Sequence, residues 1–358
     1  VKIGFVSSYF KNHSVSKTHK NWITKLDKKF FKSFVYYVDN KFDAITKEIK
    51  ESADSFFYSS DVDDLINEIS NDNLDILIYL DIGMHPKIQI LSSLRLAPLQ
   101  CNTFGHPVTS GFNSIDYYFS SKAMEPQNSE KHYSEKLINL PNIGINYDFP
   151  DLSKIKKPNV FNKSNVTFFL NLQNLFKLLP QEDHIYLDII KKYPNCRIWF
   201  IQGRGHSITN VFKERVSELF QKEGYDFKKY SYFHPRCSQE EFLGLITESD
   251  IILDSLNWSG FNTSLAALSL NKPIVTFPSS FMRGRHTYGI LKTLGVQETI
   301  ATSEKNYVEI AVKLATNIKF RNSIIDKIKK NNKKLFDDNE PIRFIESVLR
   351  KKDIFNKI

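Results

Sequence analysis

Short β-rich runs that alternate with amphipathic stretches limit most strongly what this chain can become. The first series is "KIGFV" (2–6), "SFVYYV" (33–38), "LDILIYL" (74–80), "PLQCNTF" (98–104) and "IDYYFSS" (115–121). The second is "NVTFFLNL" (165–172), "CRIWFIQG" (196–203), "YSYFHP" (230–235), "DIILDS" (250–255) and "KPIVTFP" (272–278). Strands joined by helices form βαβ units, and these build parallel sheets covered on both faces. The stretch "DFPDLSKIKKPNVFNKSN" between the series is polar, Pro-bearing and weakly periodic, so it reads as a hinge near 150–163. The expected architecture is therefore α/β, with doubly wound domains over 1–155 and 156–340 facing an interdomain cleft. Residues 341–358 are expected to form a helix that packs back on the first domain.

Local signals agree. In "SQEE", Ser238 caps the amide three residues on while Glu241 reaches back, so a helix is expected between the strands at 230–235 and 250–255. Residues 304–358 carry Lys, Asn and Ile at helical spacing and read as terminal helices.

A chain of 358 residues exceeds one comfortable core, and 41% apolar content with 29 Phe and 16 Tyr supplies two. The net charge of +9 favours anionic ligands, but the lysines are scattered. No aromatic residues interleave with a basic stripe, which argues against nucleic acid as partner. Cys101, Cys196 and Cys237 show no metal or disulfide spacing, which fits a reducing, cytoplasmic compartment without a metal cofactor. The longest apolar runs are strand-length, so no membrane span is expected. The sequence enters a strand directly from Val1, and we read it as a segment of a longer polypeptide.

In open α/β sheets, ligands bind beyond the carboxyl ends of strands, where helix N-termini present amides to anions. Residues at such positions are the candidates: His13 after the first strand, Asp81 and His85 after the third, and His106 in "FGHPVTSG". In the second series they are Asn174 and Lys177, the His234–Cys237 stretch with Arg236, and Gly260, Asn262, Thr263 and Ser264. "MRGRHTYG" adds Arg283, Arg285 and His286. A lone histidine beside a strand is by default structural, the reading taken for His85 and His132.

The ordered set "VSSYFKNHS", "LRLAPLQCNTFGHPVTSG", "HYSEKLINLP", "LFKLLP", "NTSLAALSLNKPIVTFP" and "MRGRHTY" resembles the catalytic region of the O-linked N-acetylglucosamine transferase/SPINDLY family. The likeness is to its bacterial members above all, and "GHP" is also similar to bacterial protein N-glucosyltransferases. It spans roughly residues 2–320. The resemblance implies a GT-B fold of two Rossmann-like domains and metal-free inverting transfer from a nucleotide-sugar, expected to be UDP-linked, to a protein side chain such as Ser or Thr. It also implies tetratricopeptide repeats upstream.

By the same resemblance Lys177 contacts the diphosphate, with Asn174 where the family usually has Gln. Asn262, Thr263 and Ser264 match the loop that cradles the phosphates, and His234 to Cys237 the segment whose backbone reads the base. His13 and His106 match histidines near the sugar and acceptor. The general base stays open between them, Asp81, water and the phosphate.

Two positions depart from the pattern. Related sequences usually carry Gly where Phe261 stands and a carboxylate where Ala266 stands. That carboxylate would accept bonds from ribose hydroxyls, worth about 1.5–3 kcal/mol. Phe261 puts a ring where close approach to a phosphate favours Gly. Three functions therefore compete: an active protein glycosyltransferase, a catalytically impaired relative that binds a partner or regulates, and another GT-B activity on a glycan, lipid or sugar.

Overall fold

The computed structural model describes residues 1–158 and 166–351, so the last part of the expected hinge and the end of the C-terminal segment lie outside the described residues. The chain divides into two compact units, Val1–Asp148 with the stretch from Phe336, and Phe149–Leu335.

Seven parallel strands form the sheet of the first unit: β1 (Lys2–Ser7), β2 (Lys32–Tyr37), β3 (Ser55–Tyr58), β4 (Ile76–Tyr79), β5 (Leu99–Thr103), β6 (Tyr117–Ser121) and β7 (Lys136–Leu140). Their order is β3-β2-β1-β4-β5-β6-β7, so the winding reverses between β1 and β4. Five runs were expected and all five are strands. β3 and β7 are additional, and both are edge strands. β3 is four residues with no buried position, and β7 has a single one, so neither shows the apolar continuity of a central strand.

The central strands are buried on both faces, as a parallel sheet requires. Ile3, Phe5, Ile76 and Ile78 face one layer with Trp22, Ile23 and Phe31, while Val6, Leu77 and Tyr79 face the other with Leu65, Ile69 and Leu91. The helix Glu340–Leu349 belongs to the first layer through Ile342, Ile345 and Leu349. Polar contacts fix its direction: Glu346 accepts from the Asp27 amide at 2.8 Å, and Arg343 donates to the Lys25 carbonyl at 2.9 Å.

The second unit holds β8 (Thr167–Asn171), β9 (Cys196–Ile201), β10 (Ser231–His234), β11 (Ile251–Leu253) and β12 (Ile274–Val275), all parallel in the order β10-β9-β8-β11-β12. All five expected runs are present, shortened at their ends. The helix Gln239–Glu248 falls where the capping signal put it. Ser238 and Glu241 form both bonds of the capping box. Here the winding reverses between β8 and β11.

Candidate functional site

At the switch point of the second sheet two neighbouring strands send their chains in opposite directions, which opens a crevice at the carboxyl edge. β8 leads through Gln173 and Asn174 into a short 3-10 turn, Leu175–Lys177. β11 leads into a loop that enters the helix Asn262–Ser269. Nε2 of Gln173 joins the two by donating to the Trp258 carbonyl at 2.7 Å.

The loop is held from beneath by two buried carboxylates. Asp254 accepts from the Gly260 amide at 2.8 Å, the Ser259 hydroxyl at 2.6 Å and the Thr276 hydroxyl at 2.7 Å. Glu182 accepts from the amides of Leu256 and Asn257 and from the Asn257 side chain at 2.8 Å. Burial pushes both carboxyls up, and the hydrogen bonds pull them back. Gly260 is required by close approach, since a Cβ there would stand 2.4 Å from the Thr263 hydroxyl and 2.8 Å from that of Ser264. The Ser264 hydroxyl pairs with Thr287 at 2.7 Å and is nearly inaccessible. A cavity of about 10 Å³, the size of one water, lies among Gln173, Asp254, Ser255, Gly260, Thr263 and Ser264.

Two cations share one aromatic ring above this loop. Lys177 Nζ is 4.4 Å from the Trp258 ring centroid, and the Arg283 guanidinium carbon is 5.9 Å from it. Neither is paired with a carboxylate among the described residues. Burial pushes the Lys177 amine down to about 8. A desolvated cation without an acid partner is a ready anion ligand. Nearby, His286 is buried, with its Nδ1 3.2 Å from the Ser259 carbonyl and Phe261 packed edge-on against its ring.

Other predicted residues sit differently. Asn174 is exposed, and its amide donates to the Gln173 side chain. Arg285 donates to the Ser279 carbonyl at 3.2 Å and lies over Tyr288. His234 ends β10, the edge strand two places from β8, and Pro235 to Cys237 follow it. There Nδ1 of His234 is 2.7 Å from the Pro235 carbonyl, Arg236 is exposed, and burial raises the Cys237 thiol.

Sequence reading passed over Asp254, Glu182 and Trp258. Asp254 was legible in principle, as an acid closing the apolar run "DIILDS" at the carboxyl edge of a strand. Glu182 and Trp258 carry no local signal.

The switch point of the first sheet also carries polar groups. Asp81 follows β4, is fully buried, and accepts from the Ser8 amide at 3.2 Å, while its Oδ1 has no partner among the described residues. His13 caps the helix Ser14–His19, its Nδ1 accepting from the Val15 amide at 3.3 Å, and stacks on Tyr9 at 4.0 Å. The His106 ring lies against Gly83, whose φ of +94° and lack of a Cβ leave room for it. His85 caps the helix Pro86–Ser93, the structural role expected of it.

Burial pushes the Asp81 carboxyl up to about 7, with bonds from Ser7 and Ser8 opposing it. The folded state therefore holds this proton to higher pH than the unfolded chain does. Its contribution to stability is full below about pH 4 and is lost as pH rises through about 7, at ~1.4 kcal/mol per unit. Urea midpoints measured between about pH 5 and pH 7 are expected to fall less steeply in Asp81→Asn than in the wild type. Parallel slopes would contradict this assignment.

The fold and both switch points can now be set beside known proteins. The family model described as glycosyl transferase family 41 matches residues 1–160 and 155–340, and the chain belongs to that family. Among curated relatives, a tomato (Solanum lycopersicum) protein named probable UDP-N-acetylglucosamine--peptide N-acetylglucosaminyltransferase SPINDLY is 25% identical over 325 residues, covering 88% of this chain. An Arabidopsis thaliana protein of the same description, SEC, is 24% identical over 329 residues, again covering 88%. The chain spans about a third of the length of these relatives.

Among solved structures, a Thermobaculum terrenum O-GlcNAc transferase mutant aligns over 99% of this chain and 68% of its own, with a TM-score of 0.86 and 21% identity. The Anabaena protein HepE, solved with UDP and glucose, aligns over 97% of this chain and 99% of its own, with a TM-score of 0.62 and 12% identity. The fold is that of the GT-B glycosyltransferases. Among the described residues no helix is long and apolar enough to cross a membrane.

Proposed function

We propose that this chain is a metal-independent, inverting glycosyltransferase that moves a sugar from a UDP-linked donor to a protein side chain, Ser or Thr. The observation that carries the reading is the pair Lys177, on the Trp258 ring, and Arg283, over Phe281 and within 5.9 Å of the same Trp258 ring, both without carboxylate partners among the described residues, beside a loop that enters a helix at the sheet's switch point. An acceptor oxygen attacks the anomeric carbon, the bond from that carbon to the phosphate oxygen breaks, and UDP leaves. The negative charge gathering on the diphosphate meets Lys177, Arg283 and the amides that open the helix Asn262–Ser269. Asp254 and Glu182 keep those amides in place before the donor arrives.

On the first unit, Asp81 is fully buried while the rings of His13 and His106 are partly exposed. We assign contact with sugar or acceptor to the two histidines and a supporting part to Asp81. His13 accepts at Nδ1, so its neutral ring offers Nε2–H as a donor. The acceptor proton then leaves to His106, to water or to the phosphate. The peptide acceptor follows the activity for which the relatives are named, and the segments those relatives carry beyond this region are where we place acceptor selection.

Incubation with UDP-GlcNAc, UDP-glucose and GDP-fucose, followed by mass spectrometry of peptide acceptors, is the test. One added sugar on Ser or Thr with release of UDP, undiminished by a chelator, is expected. A requirement for a divalent cation would overturn the metal-independent reading, and no transfer from any donor would overturn the enzyme reading.

One observation favours a second reading, a relative that binds a partner without catalysis. Phe261 stands at the N-terminal cap of the cradle helix, and the buried Ala266 brings no polar group to its second turn. Failure to bind any nucleotide, with a folded chain, is the outcome this reading expects.

A further inference from the structure

Two buried hydrogen-bond acceptors near the start of the helix Asn262–Ser269 have no donor among the described residues, Nε2 of His286 and Oδ1 of Asn262. His286 is 4% exposed and opens the helix His286–Leu294. Its Nδ1 faces the Ser259 carbonyl, which can only accept. Nδ1 therefore carries the proton, and the neutral ring is left with a bare lone pair at Nε2. Burial and the neighbouring Lys177 charge push this imidazole down to about 4, so it stays neutral at physiological pH.

A buried acceptor of this kind calls for a donor from outside the chain. Phosphate oxygens only accept, so the diphosphate does not satisfy it. The groups that flank a diphosphate in a nucleotide-sugar and can donate are alcohol hydroxyls, of the ribose on one side and of the sugar on the other. We propose that Nε2 of His286 accepts a hydrogen bond from a hydroxyl of the bound nucleotide-sugar, with Oδ1 of Asn262 as a second acceptor nearby. This rests on the reading of the loop as the donor site. Phe261 packs edge-on against the same imidazole, with ring centroids 5.3 Å apart.

Calorimetric titration of wild type, His286→Asn and His286→Gln with UDP, 2′-deoxy-UDP, 3′-deoxy-UDP and UDP-GlcNAc separates the outcomes. The Asn side chain keeps a donor toward Ser259 and removes the Nε2 acceptor, whereas Gln restores an acceptor at about that reach. If a ribose hydroxyl is the donor, His286→Asn weakens UDP about 10-fold, one deoxy analogue costs wild type about as much, and the two losses do not add. If a sugar hydroxyl is the donor, UDP is unchanged and UDP-GlcNAc weakens about 10-fold. In both cases His286→Gln recovers most of the affinity.

Equal affinities of wild type and a folded His286→Asn for UDP and UDP-GlcNAc would overturn the proposal. Should that variant not fold, wild-type affinities that ignore both ribose hydroxyls and the sugar would overturn it instead. Binding that Lys177→Ala abolishes and His286→Asn leaves intact refutes this inference alone. A wild type that binds no nucleotide refutes the donor-site reading and this inference with it.

Discussion

Lys177→Ala is expected to lower sugar transfer by roughly 100-fold or more while leaving the melting temperature unchanged or slightly raised. The two halves of that expectation have one cause. In the free protein the Lys177 ammonium is desolvated against Trp258 with no acid partner among the described residues, so relief of that desolvation offsets the cation–π contact of about 0.5–2 kcal/mol that its removal loses. With donor bound, the same ammonium meets the diphosphate, where a charge-assisted bond is worth about 1.5–3 kcal/mol in binding and more as the leaving group gains charge. The pH dependence follows with a definite sign. The amine titrates near 8 in the free protein, so donor affinity is present below that value and declines as pH rises through it. Turnover and thermal melts of the purified variant check both halves together. Unchanged turnover would remove Lys177 from the site.

Asp254→Ala is expected to do the opposite to the fold. The substitution strands the Gly260 amide and the Thr276 hydroxyl in a buried setting and leaves the Ser259 hydroxyl with Thr287 alone. At about 1–3 kcal/mol for each stranded group, partly relieved by rearrangement, the cost is roughly 3–5 kcal/mol. For a domain of this size that lowers the melting temperature by roughly 10 °C. Nucleotide binding should fall as well, because the loop that enters the helix Asn262–Ser269 loses its anchor. A variant that melts with the wild type would show that Asp254 does not hold the loop. The contrast between a loss of function at Lys177 and a loss of stability at Asp254 separates ligand contact from scaffold.

What the sequence made legible was decided by burial. Central strands of a parallel sheet are apolar on both faces, so runs such as "LDILIYL" and "CRIWFIQG" announce themselves, and the box at Ser238 and Glu241 marks its helix without help from the rest of the chain. β3 and β7 were silent because an edge strand is half-exposed and needs no apolar run. At the candidate site, Lys177 and the Gly260 to Ser264 loop were marked by their place beyond strand ends and by the family resemblance. The partners that shape them did not. Glu182 is more than seventy residues from the loop it holds, and the Trp258 ring between two cations is a product of folding. His286 was visible only as part of a charged motif. Its buried, one-sided hydrogen bonding exists because Ser259 meets it across the loop, which no local pattern encodes.

Calorimetric titration of the wild-type chain with UDP, using GDP as comparator, tests the central claim most directly. Micromolar binding of UDP, weaker binding of GDP, and loss of the UDP signal in Lys177→Ala are expected. Absence of binding of either nucleotide at millimolar concentration to a folded protein would contradict it and leave the chain as a partner-binding relative of the enzymes it resembles.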